Sequence, residues 1–200
     1  MIQDILKAIR VILMLWIITA VIYPLFILLI GQSFFPFQAN GSMQKYVEGN
    51  EFIGSTLIGQ RFISDGYFQG RPSQVIYSIG KKAKPTGISG ATNLAPDDSA
   101  LLERIKEDVA SLADENIPPL ADLIYTSASG LDPHISVTAA KKQIERVARA
   151  RDLEPGEEQD LEKLITQHTD NRFIGIFGEP GVNLLKLNYK LDIKELITGN

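Results

Sequence analysis

Apolar residues follow two patterns along this chain. From 11 to 30 (VILMLWIITAVIYPLFILLI) they are continuous and carry no charge, whereas beyond residue 54 they recur between polar positions. Twenty residues at about 1.5 Å rise cover roughly 30 Å, the thickness of a bilayer's hydrocarbon core, so the run predicts one membrane-crossing helix. A cleaved leader would have an apolar stretch of about 7–15 residues and a small-residue cleavage site. This run is longer, and residues 37–40 (FQAN) make a poor site, so a retained anchor is expected. Lys7 and Arg10 precede the run, and no basic residue follows it before Lys45, which places the amino terminus in the cytoplasm and exports the rest. Within the run, Thr19 and Tyr23 share a face suited to packing against a partner helix, and Pro24 is expected to kink it.

The chain then divides into a cytoplasmic tail (1–10), a transmembrane helix (11–30), a juxtamembrane connector (31–53) and a periplasmic domain (54–200). The connector is rich in Gly, Asn, Gln and Ser, with Phe34, Phe35 and Phe37 expected at the interface. Three helices are predicted in the domain. Asp97, Asp98 or Ser99 caps the first, whose Leu101, Leu102, Ile105, Val109 and Leu112 form a stripe ending before Pro118 and Pro119. Ser136 caps the second, with Val137, Ala140, Ile144, Val147 and Ala148 inward, and Lys142, Arg146 and Arg149 on the opposite face. Arg151 projects near the apolar stripe at that helix's end, where it should pair with a carboxylate or with terminal carbonyls. The third helix covers 157–168, with Leu161, Leu164 and Ile165 inward and Pro155 suited to its first turn.

Leu185, Leu187, Tyr189, Leu191 and Ile193 alternate with polar residues, which predicts a half-buried terminal strand. Shorter strands are predicted at 74–79 and 122–126, and residues 178–183 read mainly as the turn before the terminal strand. Helices and strands mix without βαβ alternation. The predicted fold class is therefore an α+β exported domain anchored by a single N-terminal transmembrane helix.

Composition narrows the partners. The chain has no cysteine, so the exported domain must hold itself together by burial, and the lack of disulfides favours a bacterial periplasm. Removing Asp4, Lys7 and Arg10 from totals of 24 acidic and 20 basic residues leaves the domain at a net charge of −5. Phosphate binding needs concentrated positive charge, so nucleic acid is excluded as a partner.

Residues 126–136 (TSASGLDPHIS) hold every residue type of a serine-hydrolase triad. A triad needs its base held between nucleophile and carboxylate by separate elements, whereas Asp132 and His134 flank Pro133 two residues apart, and no G-x-S-x-G elbow is present. Turn chemistry explains the segment better: Ser129 and Asp132 accept backbone N–H bonds, Gly130 supplies an unusual dihedral and Ser136 caps a helix. A membrane-anchored hydrolase using Ser127 or Ser129 with His134 remains the competing reading, beside a one-span binding or sensor module. His134 and His168 are the only histidines, and with no cysteine no metal site is predicted. No phosphate-binding loop is present either, since residues 54–60 lack its lysine, and no cofactor is expected.

Six segments in order carry a family resemblance. They are 54–60 (GSTLIGQ) with Gly59 and Gln60, then 67–73 (YFQGRPS) with Tyr67, Phe68, Gly70, Arg71, Pro72 and Ser73. Next come 89–94 (SGATNL) with Asn93, and 127–136 with Ser129, Gly130, Asp132, Pro133 and His134. Last are 143–151 (QIERVARAR) with Gln143, Arg146, Arg149 and Arg151, and 178–188 (GEPGVNLLKLN) with Asn183 and Asn188. Together they resemble the C subunits of bacterial Kdp-type potassium-transporting ATPases, over the whole chain. The resemblance implies a non-catalytic accessory subunit in the bacterial inner membrane, surrounded by membrane lipid. Its implied partners are a channel-like subunit that carries the ions, a P-type ATPase subunit that hydrolyses ATP, and a very small membrane subunit. The exported domain would sit over the outer mouth of the channel-like subunit, assembling and stabilising the pump. A part in raising ATP affinity would be indirect, because contact by Gln143 demands the reverse topology. From the residues alone, Arg71 beside Tyr67 and Phe68 suits a turn or an interface anchor equally. The Arg146/Arg149 face reads as a solvated surface open to headgroups or partner loops.

Overall fold

The computed structural model describes residues 1–46, 51–75, 88–154 and 156–198, with side chains to residue 193. Pro155 and most of the predicted strand at 74–79 lie outside these residues. The chain forms two units, Met1–Ser55 and Thr56–Asn200.

In the first unit, helices α1 (Ile2–Ile17) and α2 (Tyr23–Phe34) are continuous through a wider π turn at Ile18–Ile22. The 33-residue helix extends beyond the apolar run at both ends and is long and apolar enough to cross a membrane. None of its residues is buried, which is the state expected of a helix solvated by lipid tails. Pro24 has no N–H and its ring crowds the carbonyl four residues earlier. The π turn just before it, in which Tyr23 N–H donates to Ile18 O, opens the backbone at that point and accommodates the ring. Thr19 Oγ1 donates to Leu15 O at 2.8 Å, so its hydroxyl is satisfied within the helix.

Residues 31–46 and 51–53 are more ordered than their composition suggests. Phe35 leaves helical geometry before Pro36, and α3 (Pro36–Ala39) follows. Asn40 Nδ2 donates to Pro36 O at 2.7 Å and to Gln32 Oε1 at 3.0 Å, tying the turn back to α2. Strands β1 (Met43–Lys45) and β2 (Phe52–Ser55) then pair antiparallel.

The second unit packs short helices against one another and against a small three-stranded sheet. Helix α4 (Ser99–Asp114) is capped by Asp98, whose carboxylate accepts from Ala100 N–H at 2.9 Å. Its apolar stripe is only partly covered, and Leu102 is exposed. The predicted strand at 122–126 is instead a short helix, α5 (Ala121–Ile124), which follows the two prolines and buries Leu123 and Ile124. Asp122 there accepts from Ser136 N–H at 2.9 Å, and Arg104 of α4 donates to Ile124 O at 2.8 Å.

The second predicted helix is broken in two. Ser136 caps α6 (Val137–Lys141), its Oγ accepting from Ala139 N–H at 3.1 Å, and α7 (Ile144–Ala150) follows a tight turn at Lys142 and Gln143. Helix α8 (Glu158–Gln167) buries Leu161 and Ile165 as predicted. Strands β3 (His134–Ser136), β4 (Thr169–Asp170) and β5 (Gly181–Asn183) form an antiparallel sheet with β5 in the centre.

The predicted terminal strand is a helix, α9 (Leu184–Thr198). Leu184, Leu185, Leu187, Asn188, Tyr189 and Leu191 are all buried, and only Lys190 is fully exposed between 184 and 193. Over residues 184–193 most side chains are covered and no continuous polar face imposes a 3.6-residue period, so an accidental alternation dominated the pattern. Leu184, Leu187 and Leu191 meet Phe68, Leu161, Ile165, Val182, Ala139 and Val147 in one core.

Candidate functional site

The family-motif segments converge inside the second unit, in two linked clusters. The first is built on residues 66–71, a strap that crosses the core as irregular chain. Phe68 is completely buried, so its backbone polar groups require partners that no strand supplies. Asn188 of α9 supplies both: Phe68 N–H donates to Asn188 Oδ1 at 2.9 Å and Asn188 Nδ2 donates to Phe68 O at 3.0 Å. The next residue is held the same way. Gln69 N–H donates to Gln143 Oε1 at 2.7 Å, and Gln143 Nε2 donates to Gln69 O at 3.0 Å. One edge of a primary amide presents an N–H donor and the oxygen acceptor side by side, which is the pairing an adjacent strand would present. Asn188 and Gln143 are each only 1% exposed.

Two arginines extend the clamp. Arg146 Nη2 donates to Tyr67 O at 3.0 Å and to Gln143 Oε1 at 2.6 Å, with Glu115 Oε2 3.3 Å from Nε. Burial pushes this guanidinium below its ordinary pKa, and the carboxylates of Glu115 and Asp65 oppose that shift. Arg151 Nε donates to Gly66 O at 2.6 Å and Nη2 to Asp192 Oδ1 at 2.9 Å, while its guanidinium lies 4.8 Å from the centre of the Tyr67 ring. Tyr67 Oη closes the loop by donating to Asp192 Oδ2 at 3.1 Å. Burial raises the Tyr67 phenol pKa, the Asp192 charge adds to the rise, and Arg151 opposes it.

The solvated Arg146/Arg149 face is therefore corrected. Arg149 is exposed and pairs with Glu145 at 2.9 Å, but Arg146 is 5% exposed and faces inward. The break after α6 rotates α7 relative to an ideal continuous helix, and unmet carbonyls of the strap draw the guanidinium in. Gln143 is likewise buried, its amide bonded to Gln69 and Arg146.

The second cluster surrounds the sheet. Asn183 caps α9, its Oδ1 accepting from Lys186 N–H at 3.2 Å while its Nδ2 donates to Thr56 O at 2.7 Å. Asp132 Oδ1 accepts from His134 N–H at 3.1 Å, and its Oδ2 pairs with Arg71 Nη1 at 3.2 Å. Arg71 also lies 4.0 Å from Asp122 and is half-buried, so it serves as a cross-link between loops. His134 Nε2 meets Asp170 Oδ2 at 3.1 Å, and Lys186 Nζ meets Asp170 Oδ1 at 3.5 Å. Ser73 Oγ donates to Gly130 O at 2.8 Å. Pro133 O accepts from Leu184 N–H at 3.0 Å.

Backbone approach explains two glycines. A Cβ on Gly59 would stand 2.6 Å from Asp132 O, and one on Gly130, at φ +68°, would stand 2.5 Å from Gly90 O. Asn93 adopts φ +53°, a conformation that asparagine tolerates.

Ser129 Oγ contacts Ser127 Oγ at 2.9 Å and accepts from Leu131 N–H at 3.1 Å, whereas the His134 ring turns to Asp170 and Asn183. Ser129 and the His134 ring thus go to separate partners. Sequence reasoning missed Asp192, Asp122, Asp170 and Glu115, the carboxylates that complete the clusters. Asp192 carried a usable signal, because it lies four residues after Asn188 and the two share a face once the segment is helical.

The chain matches the family described as KdpC: K+-transporting ATPase, c chain, over residues 5–193. The potassium-transporting ATPase KdpC subunit 2 of Nostoc sp. (strain PCC 7120) is 60% identical over 195 residues, 98% of this chain and 96% of the relative. The KdpC subunit of Synechocystis sp. (strain PCC 6803) is 54% identical over 192 residues, 96% of this chain and 99% of the relative. That of Rhodopseudomonas palustris (strain BisB18) is 42% identical over 202 residues, 96% and 98% of the respective chains.

Proposed function

The chain belongs to the family of K+-transporting ATPase c chains, and from that premise we propose that it is the non-catalytic accessory subunit of a high-affinity, ATP-driven potassium uptake pump. It assembles and stabilises a complex of a channel-like potassium-translocating subunit, a P-type ATPase subunit and a small membrane subunit. Its second unit works on the outer side of the bacterial inner membrane, at the mouth of the channel-like subunit, where it shapes potassium entry. Lys7 and Arg10 before the apolar run support that orientation.

One observation carries the non-catalytic reading. The polar motif side chains Gln143, Arg146, Arg151, Asn183 and Asn188 all hold backbone or one another in the interior. Motif residues used this way specify a rigid body to be docked, not a reaction centre. The test compares the pump purified with and without this chain. Omission is expected to reduce both the yield of assembled complex and potassium-stimulated ATPase activity, and Ser129→Ala should leave both unchanged. Full assembly and activity without the chain would contradict the proposal.

A further inference from the structure

The connection between β4 and β5 carries four large apolar side chains that none of the described residues covers. Phe173, Ile174, Ile176 and Phe177 are 71%, 72%, 71% and 65% exposed, within five consecutive residues. They form a defined hairpin. Phe173 N–H donates to Phe177 O at 2.8 Å, and Phe177 N–H donates to Phe173 O at 3.0 Å. The turn needs Gly175 at φ +73° and forces Ile174 to φ +55°, a conformation that β-branched residues rarely adopt. Its base is pinned as well, because Asp170 of β4 pairs with both His134 and Lys186. Strain and apolar exposure on a fixed mount mark a surface that is covered in use.

Flanking charge distinguishes the two possible covers. A loop that seeks anionic lipid carries Lys and Arg beside its apolar tip and favours Trp or Tyr at the interface. Between 170 and 180 this connection has Asp170, Arg172 and Glu179, a net charge of −1, and its aromatic residues are both Phe. With Asp170 paired to Lys186 and only Arg172 as a basic residue of its own, such a tip lacks the cationic and Trp or Tyr flank that draws a loop to an anionic membrane surface, and it fits a dry pocket in a protein.

We propose that the Phe173, Ile174, Ile176 and Phe177 hairpin is an anchor that inserts into an apolar pocket of a membrane-embedded subunit of the same pump. This rests on the accessory-subunit reading above and adds the element that makes the contact. The test uses the whole complex in native membranes, with benzoylphenylalanine placed at position 176. Illumination is expected to join this chain to another pump subunit, whereas adducts with lipid alone overturn the inference. In parallel, the double variant Phe173→Ser, Phe177→Ser should be recovered with the complex at least about tenfold less well than the wild type. Undiminished recovery of the double variant overturns the anchor alone. Failure of the wild-type chain to co-purify overturns the accessory-subunit reading and the anchor with it.

Discussion

Two aromatic loops of the second unit meet opposite fates. The strap at 66–71 buries Phe68 completely, while the hairpin at 173–177 leaves two phenylalanines and two isoleucines in the open. Both are irregular chain with glycine nearby, so local propensity does not separate them. What differs is the treatment of the backbone. The strap enters the core because Asn188, Gln143, Arg146 and Arg151 meet its N–H and carbonyl groups one by one. The hairpin meets its own backbone needs across the Phe173 and Phe177 bridge, which leaves its side chains available to something else. An aromatic residue can be buried in a loop only where polar side chains stand in for a missing strand.

The largest expected effect separates the two loops directly. Phe68→Ala should destabilise the chain by about 3–5 kcal/mol through a core cavity, whereas Phe177→Ala should stay within about 0.5 kcal/mol. Denaturant unfolding of both variants in the same detergent checks this, and equal losses would erase the distinction. Next in size is the clamp itself. Asn188→Leu removes the partners of two buried backbone groups, at about 1–3 kcal/mol for each, and should lower stability without altering the exposed hairpin. Limited proteolysis that shows the strap loosened while the sheet is preserved would sharpen the assignment.

The smallest effect is a pH dependence at the start of the strand leading to the hairpin. Burial holds the His168 imidazole below its ordinary pKa. The backbone contact to Leu164 O and the Asp170 charge oppose that shift, and Lys190 and Lys186 add to it. A histidine with a depressed folded pKa binds its proton more readily when unfolded. The stability it contributes is present above about pH 6.5, the unfolded value, and is lost as pH falls through the lower folded value. His168→Gln should therefore flatten the fall in melting temperature just below pH 6.5. An unchanged slope would assign the effect to other groups.

Much of the helical framework was readable from pattern and capping alone. Asp98, Ser136 and the Leu161 and Ile165 stripe stand where their residue types indicate. Amphipathic helices with a polar face announce themselves, because solvent enforces the period. Helix α9 did not, since most of its side chains from 184 to 193 are covered by protein and its alternating leucines imitated a strand. The inward turn of Arg146 was illegible for a related reason. It depends on the carbonyl of Tyr67, 79 residues earlier in sequence, that no local rule connects to α7. The motif list held most of the clamp residues, but their roles appeared only when their partners were in place.

By itself the sequence determined that one apolar helix can cross a membrane, that the remainder is a mixed α+β body without disulfides, and which family it joins. Those properties follow from composition, run length and ordered motifs, all of which are local or additive along the chain. Tertiary structure alone decided which polar residues face inward, that the terminal segment is a helix buried over much of residues 184–193, and that one apolar hairpin stays uncovered among the described residues. Each of those depends on satisfying backbone groups and excluding water between residues far apart in sequence, and neither condition exists until the chain has folded.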